Sequence, residues 1–231
     1  MSLFNNIAII PARGGSKRIP RKNIKEFLGK PIIAYSIQTA IQSNLFNEIM
    51  VSTDDEEIAT IAKQYGAKVP SMRSSKNADD YATTIDVLNE VLNFYKNDNK
   101  HFDYACCIYP TAPLVNVAQL NNGFEKLHTN KADAVFPIVA FSYPIWRSVE
   151  VDENGYTKML WNEYLKSRSQ DLKKVYHDAG QWYWFNPNKI TNSLFTDNTT
   201  SIILKEDEVQ DIDTPTDWLL AEMKYKILYH Q

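Results

Sequence analysis

The chain has 231 residues, 44% of them hydrophobic, which is enough to bury one substantial core but too few for two full-sized domains. Its 25 basic and 28 acidic residues give a net charge of -3, so it lacks the excess of positive charge that grips nucleic acid. We find no apolar run of membrane-spanning length and no secretory leader, so we expect a cytoplasmic protein that binds neither nucleic acid nor membrane.

Strands and helices are predicted to alternate through the first half of the chain. Pro31 suits the first position of a helix, and Asp54 with Glu57 forms a capping-box pattern. Cys106 and Cys107 are adjacent in an apolar run, which predicts two core cysteines on opposite faces of a strand. The predicted elements are strands at 7–10, 49–52 and 104–109 and helices at 31–44, 54–65 and 85–95.

The alternation continues with a helix at 116–128 and a strand at 134–139, then resumes with strands at 181–185 and 201–204 and a helix that begins at Thr214. Buried strands separated by helices indicate a mainly parallel sheet with right-handed crossovers. The predicted fold is an α/β, Rossmann-like sheet sandwiched by helices, in a single domain over residues 1–231.

An inserted arm interrupts this pattern at about 141–175. Aromatic and aliphatic side chains outside the alternating pattern need burial, and such patches usually mark an interface between copies of a chain. We therefore expect a homodimer in which the arm packs against a second copy. The arm residues expected to be exposed are Phe141, Tyr143, Ile145, Trp146 and Leu160.

The most informative segment is 9–23, IIPARGGSKRIPRKN in one-letter code, where two glycines and five cations follow a buried strand. Glycines let backbone amides approach oxygens closely, and Arg13, Lys17 and Lys22 can neutralise a polyphosphate. The loop matches neither a Walker loop nor a dinucleotide fingerprint. The segment predicts a triphosphate site, and the alternative is a solvated basic loop.

This segment resembles the CTP-binding loop of the CMP-sialic acid synthetase family. Further resemblance lies at 51–54, Arg73, 80–84, 110–113 and 211–213. The resemblance implies phosphate contacts from the cationic loop, a cytosine contact from Asn23 and Arg73, and a ribose site near Ala82. The residues it assigns to the nucleotide are Ala12, Arg13, Gly14, Ser16, Lys22, Asn23, Arg73, Ala82 and Thr84, and those it assigns to catalysis are Arg13, Lys17 and Lys22. For Asp80, helix capping and nucleotide contact are both open.

Asp211 and Asp213 flank an isoleucine in an extended segment, so their side chains point the same way. Paired carboxylates beside a polyphosphate site suit Mg²⁺, which takes oxygen ligands and shares its shell with phosphates. We assign both residues as Mg²⁺ ligands. The alternative is that they cap the helix at Thr214.

A sugar site is expected from the arm and the strand beyond it. The sequence DAGQWYW at 178–184 resembles the pseudaminic acid branch of the family. Gln181 and Tyr183 would face the sugar, while the two tryptophans would pack in the core. Sialic acid members carry Gln where this chain has Tyr109, and a less polar wall fits a more deoxygenated sugar. The residues assigned to the sugar are Tyr109, Arg147, Arg168, Gln181 and Tyr183, the arginines matching basic positions that hold the sugar carboxylate.

The implied reaction joins CMP from CTP to a nine-carbon acidic sugar, with pseudaminic acid as the expected substrate. N-acetylneuraminate, legionaminate and Kdo are alternatives within the class. A glycosyltransferase and a non-catalytic nucleotide-binding module are alternatives of other classes. The general base is left open between Asp211, a metal-bound hydroxide and His177.

Overall fold

The computed structural model of the protein describes residues 4–79 and 81–229. The helices are α1 (Ile33–Ser43), α2 (Glu56–Gln64), α3 (Thr84–Asn97), α4 (Val117–Asn130) and α5 (Pro215–Tyr229). The strands are β1 (Asn6–Pro11), β2 (Glu26–Phe27), β3 (Lys30–Pro31), β4 (Glu48–Ser52), β5 (Tyr104–Ile108), β6 (Ala134–Ala140), β7 (Val149–Val151), β8 (Thr157–Met159), β9 (Tyr176–Asp178), β10 (Trp182–Phe185) and β11 (Thr199–Leu204). Within the two described ranges, no helix has both the length and the apolar character that crossing a membrane requires.

The central sheet has the strand order β11-β6-β10-β5-β1-β4, and β9 pairs with β6. β1 is parallel to both of its neighbours and β11 is parallel to β6, whereas β9 and β10 are antiparallel to their partners. This confirms the Rossmann-like, mainly parallel sheet between helices. Because β4 and β5 lie on opposite sides of β1, the loops that follow these three strands meet at a switch point, where such sheets bind ligands.

The core lies on both faces of this sheet. Trp182 and Trp184 are fully buried on one face, and Tyr183 and Phe185 are buried on the other, as their alternation predicts. α4 approaches the tryptophans so closely that a Cβ on Gly123 would stand 2.5 Å from the Trp182 ring, so only glycine fits there. The two cysteines are likewise fully buried on opposite faces, which confirms their assignment to the core.

Two predicted helix starts were wrong by one or two residues. Pro31 lies in β3, and α1 begins at Ile33 because the chain first makes a tight hairpin. Asp55, not Asp54, caps α2, and its side chain accepts hydrogen bonds from two backbone N–H groups of the first turn, each at 3.0 Å. The predicted start of α5, with Pro215 in the first turn, is confirmed.

The arm contains the hairpin of β7 and β8, which no other strand of the described chain pairs with. Trp146 packs edge-on against Trp161 at 5.6 Å between ring centroids, and its indole N–H donates to the Lys173 carbonyl at 2.8 Å. The expectation that Ile145 and Trp146 are exposed was therefore wrong, because both side chains are partly buried, Trp146 by other residues of the arm. Its exposed apolar side chains include Phe141, Tyr143, Leu160 and Leu165.

Candidate active site

The loop after β1 lines a cavity of about 400 Å³ at the carboxyl edge of the sheet. The Asn23 side-chain amide donates to the Arg13 carbonyl at 2.8 Å, and the Gly14 N–H donates to Asp54 Oδ1 at 2.9 Å. A Cβ on Gly14 would stand 2.8 Å from Asp55 Oδ2, so the loop passes α2 only because a glycine occupies this position. These contacts fix the loop beside the cavity.

Arg21 ties the far end of this loop to α2. Its guanidinium hydrogen-bonds to both carboxylate oxygens of Asp55, one at 2.9 Å, and also pairs with Glu57. These hydrogen bonds from Arg21 lower the pKa of Asp55 to about 2. Asp55 is therefore charged at neutral pH, and the sequence reasoning had missed its role as the anchor of the loop.

The cavity brings together side chains from four separate segments of the chain. Arg73 is buried beside it, with Nε donating to Ser52 Oγ at 3.0 Å, and burial lowers the pKa of Arg73. An Arg13 guanidinium N–H donates to the Asp79 carbonyl at 3.1 Å, which joins the loop to the turn before α3. The residues with predicted roles that line the cavity are Arg13, Ser16, Lys17, Lys22, Asn23, Arg73, Ala82, Thr84 and Tyr109.

Ala12 and Thr84, which the sequence also assigns to the nucleotide, lie at the end of the strand and at the start of the helix that border the first cavity. Ala12 is buried and extends β1 by donating its N–H to the Ser52 carbonyl at 2.9 Å. Thr83 caps α3 through a capping box with Asp86, which places Thr84 at the first position of that helix. Asp80 lies outside the described residues.

A second cavity, of about 440 Å³, is lined by Asp211 and Asp213. Lys22, from the first cavity, reaches its edge, where the ammonium donates to the Ile212 carbonyl at 2.7 Å and lies 3.4 Å from Asp213 Oδ1. Arg18 also pairs with Asp213, at 2.8 Å, a contact that the sequence reasoning did not assign. The cationic loop and the carboxylate pair are therefore adjacent.

The carboxylate pair fits a divalent cation that shares its shell with a ligand. Partial burial, followed by the negative charge of Asp213, raises the pKa of Asp211, so a cation placed between them would be stabilised. Among the described residues, no group of three or more His, Cys, Asp or Glu side chains could enclose a metal ion. Two carboxylates with phosphate and water oxygens suit the octahedral shell of Mg²⁺ better than a metal held by protein alone.

The predicted sugar residues fall into two sets. Tyr109 and Tyr183 are neighbours, 5.5 Å apart between ring centroids, beside the first cavity. Gln181 is buried beneath the site, where its side-chain amide donates to the Glu208 carbonyl at 2.7 Å. Arg147 and Arg168 are exposed on the arm, Arg168 paired with Asp171 at 2.8 Å, and neither lines a cavity described here. Direct sugar contacts by these last three residues stay predictions.

The fold and the two adjacent cavities define a nucleotide-binding α/β protein that can hold a polyphosphate against a carboxylate pair. Residues 7–201 match the family model described as cytidylyltransferase, so the chain belongs to this family of nucleotidyltransferases. It is 44% identical to a pseudaminic acid cytidylyltransferase of Campylobacter jejuni subsp. jejuni, over 97% of each chain. It is 34% identical to a CMP-N,N'-diacetyllegionaminic acid synthase of Legionella pneumophila, over 94% of each.

Solved structures show the same fold at low sequence identity. The structure of a CMP:2-keto-3-deoxy-manno-octonic acid synthetase complexed with CTP superposes with a TM-score of 0.69 and 17% identity, covering 98% of this chain and 100% of that one. A 4-diphosphocytidyl-2C-methyl-D-erythritol synthase from Anaerococcus prevotii gives a TM-score of 0.63 at 16% identity, covering 96% of this chain and 98% of that one. At these identities the likeness carries the fold alone.

Proposed function

We propose that the protein transfers CMP from CTP to a nonulosonic acid, with pseudaminic acid as its substrate. The observation that carries this proposal is the contact of Lys22, which lines the first cavity, with Asp213, which lines the second, because it sets a cationic phosphate site beside the carboxylate pair. The 44% identity to the Campylobacter jejuni enzyme over nearly the whole chain supports the choice of sugar. We place the reaction in the cytoplasm, where CTP is available.

In this reaction the anomeric hydroxyl of the sugar attacks the α-phosphorus of CTP. A new phosphorus–oxygen bond forms, the bond to the β-phosphate oxygen breaks, and pyrophosphate leaves with that oxygen. Arg13, Lys17 and Lys22 stabilise the charge on the phosphate oxygens, and the loop holds them in line. The proton of the hydroxyl passes to a base in the second cavity, where His177 is available while Asp211 serves as a metal ligand.

Asp211 and Asp213 would hold Mg²⁺ in this proposal. When bound, the ion neutralises negative charge on the triphosphate and on the leaving pyrophosphate. Before it binds, Asp213 is neutralised by Arg18 and Lys22, which keeps the acidic pair compatible with an approaching triphosphate. Turnover is therefore expected to require a divalent cation.

We predict a preference of at least about 100-fold in kcat/KM for CTP over ATP, because a site that reads hydrogen-bonding groups rejects a base that cannot pair with them. Asn23 and Arg73 line the first cavity in fixed positions, each held by a hydrogen bond to a neighbouring loop or strand. Pyrophosphate release with each nucleotide and the same sugar measures this ratio. Equal rates with CTP and ATP would contradict a cytosine site at these residues.

We further propose that the protein is a homodimer held by the arm, which exposes 85% of Tyr143 and 58% of Leu165. In a two-fold pair each arm can bring Arg147 and Arg168 to the other chain's cavity, which neither reaches within its own chain. Light scattering should give twice the chain mass of 26.6 kDa. The double variant Tyr143→Asp with Leu165→Asp should shift to the monomer mass and lose activity.

A matched control comes from α5, where Leu219 is 61% exposed outside the arm. Leu219→Asp should leave the dimer mass unchanged. A monomeric mass for the unsubstituted protein at micromolar concentration, with full activity, would show that the site is complete within one chain and would overturn the dimer proposal.

A further inference from the structure

Arg18 joins the phosphate cavity to the carboxylate pair. It lines the first cavity, and its guanidinium pairs with Asp213 Oδ1 at 2.8 Å. The Lys22 ammonium lies 3.4 Å from the same oxygen, so this one carboxylate already has two cationic partners. Arg18 therefore lines the phosphate site while its charge is engaged by a residue to which we assign a metal.

The two cations differ in how firmly they are held. The Lys22 side chain is 21% exposed, and its ammonium also donates to the Ile212 carbonyl at 2.7 Å. The Arg18 side chain is 67% exposed. An ion pair as exposed as this one contributes little free energy, so it breaks readily when a competing charge arrives. Lys22 stays on the Ile212 carbonyl when Asp213 is engaged elsewhere, whereas Arg18 can leave.

A divalent cation at the carboxylate pair would compete with Arg18 for the charge of Asp213. Mg²⁺ takes oxygen ligands at about 2.1 Å, and like charges that share one carboxylate repel each other. The departing guanidinium needs another anion. Since Arg18 lines the first cavity, the anion within its reach is the triphosphate, whose oxygens match the donor geometry of a guanidinium.

We infer that Arg18 is a phosphate-binding residue that exchanges partners: it pairs with Asp213 in the nucleotide-free protein and with the triphosphate once a cation occupies the carboxylate pair. This inference rests on the proposed function and adds Arg18 to the residues assigned to the phosphates. The exchange has two consequences of opposite sign. Arg18 weakens metal binding to the nucleotide-free protein and strengthens nucleotide binding, so each ligand favours the other.

Arg18→Gln tests both consequences, because it removes the charge and keeps a polar side chain. Binding of Mn²⁺ to the nucleotide-free protein, measured by electron paramagnetic resonance, should tighten about threefold, the size of one exposed ion pair. Binding of CTP at saturating Mg²⁺ without the sugar, measured by calorimetry, should weaken about fivefold. The gain in Mn²⁺ affinity on adding CTP should therefore be smaller than in the unsubstituted protein.

Two controls separate this exchange from a general effect of charge. Lys25→Gln removes one positive charge from the same segment, at an exposed residue outside those that line the two cavities, and should change neither affinity. In an Asp213→Asn background, Arg18→Gln should no longer tighten Mn²⁺ binding, because the carboxylate for which the two cations compete has lost its charge. Melting temperatures show that each variant is folded.

A role confined to orienting Asp213 predicts the opposite sign for the metal, because loss of a partner that orients a ligand weakens metal binding. Unchanged or weaker Mn²⁺ binding in folded Arg18→Gln would therefore overturn the exchange, as would unchanged CTP binding or an equal change in Lys25→Gln. Turnover of the unsubstituted protein with CTP, Mg²⁺ and pseudaminic acid is measured alongside. No turnover there would overturn the proposed function itself, whereas normal turnover with any of these results would overturn only the role of Arg18.

Discussion

Replacing Asp211 and Asp213 together by asparagine is expected to lower kcat by at least about 100-fold while the fold is retained. The substitution keeps the size of both side chains but removes the two negative charges that would hold a divalent cation beside the phosphates. Burial, followed by the negative charge of Asp213, raises the pKa of Asp211, so a neutral side chain at position 211 should not destabilise the folded state. Pyrophosphate release over a Mg²⁺ titration and a thermal melt measure the two effects.

The control for this prediction removes two carboxylate charges away from both cavities. Asp197 and Asp207 are exposed and line neither cavity, so Asp197→Asn with Asp207→Asn should leave kcat and the Mg²⁺ dependence unchanged. If the folded Asp211 and Asp213 double variant turns over at the normal rate, these residues are not metal ligands. Asp213 would then act only through its ion pairs with Arg18 and Lys22, because Thr214 and Asp217 form the cap of α5.

Lys22→Met is expected to lower kcat by about 100-fold, because this ammonium joins the phosphate cavity to the segment that carries the carboxylate pair. It lines the phosphate site and also donates to the Ile212 carbonyl at 2.7 Å, between the two carboxylates. Its loss should therefore remove charge stabilisation and loosen the segment that carries Asp211 and Asp213. Single-turnover rates at saturating CTP measure the chemical effect apart from binding.

Lys25→Met is the matched variant, since Lys25 lies in the same segment but packs over the Trp218 ring, 4.5 Å from its centroid. Its kcat should stay within about twofold of the unsubstituted protein, as for most surface substitutions away from a site. A normal rate in Lys22→Met would mean that the phosphate charge is stabilised elsewhere.

The phosphate loop could be predicted from sequence because its signals are local. A buried strand, two glycines and clustered cations lie within 9–23, and their grouping needs no knowledge of the rest of the chain. Alternation along β10 likewise predicted that Trp182 and Trp184 pack opposite Tyr183. Local periodicity and composition were sufficient for these features.

Contacts between distant segments were beyond that reasoning. Nothing near Arg18 indicates a pair with Asp213, and nothing near Arg21 indicates its pair with Asp55, because each depends on how the loop folds against other elements. The cap of α2 was misplaced by one residue since Asp54 and Asp55 have the same capping chemistry, and only the loop at Gly14 distinguishes them.

The role of Gln181 shows a further limit of reasoning by alternation. The pattern predicts that it faces away from Trp182, but alternation does not indicate which other segment covers a side chain. Here the Glu208 carbonyl occupies its amide, so Gln181 supports the segment that leads to Asp211. Covering segments of this kind are set by tertiary packing, which strand periodicity does not record.

The most direct test of the proposed function is pyrophosphate release from CTP and Mg²⁺ with a panel of acidic sugars: pseudaminic acid, N-acetylneuraminic acid, a legionaminic acid and Kdo. We predict the highest kcat/KM for pseudaminic acid, by at least about tenfold, together with formation of the matching CMP-sugar. No release with any of the four would contradict the cytidylyltransferase assignment of the site, and a higher kcat/KM for another sugar would overturn the choice of pseudaminic acid.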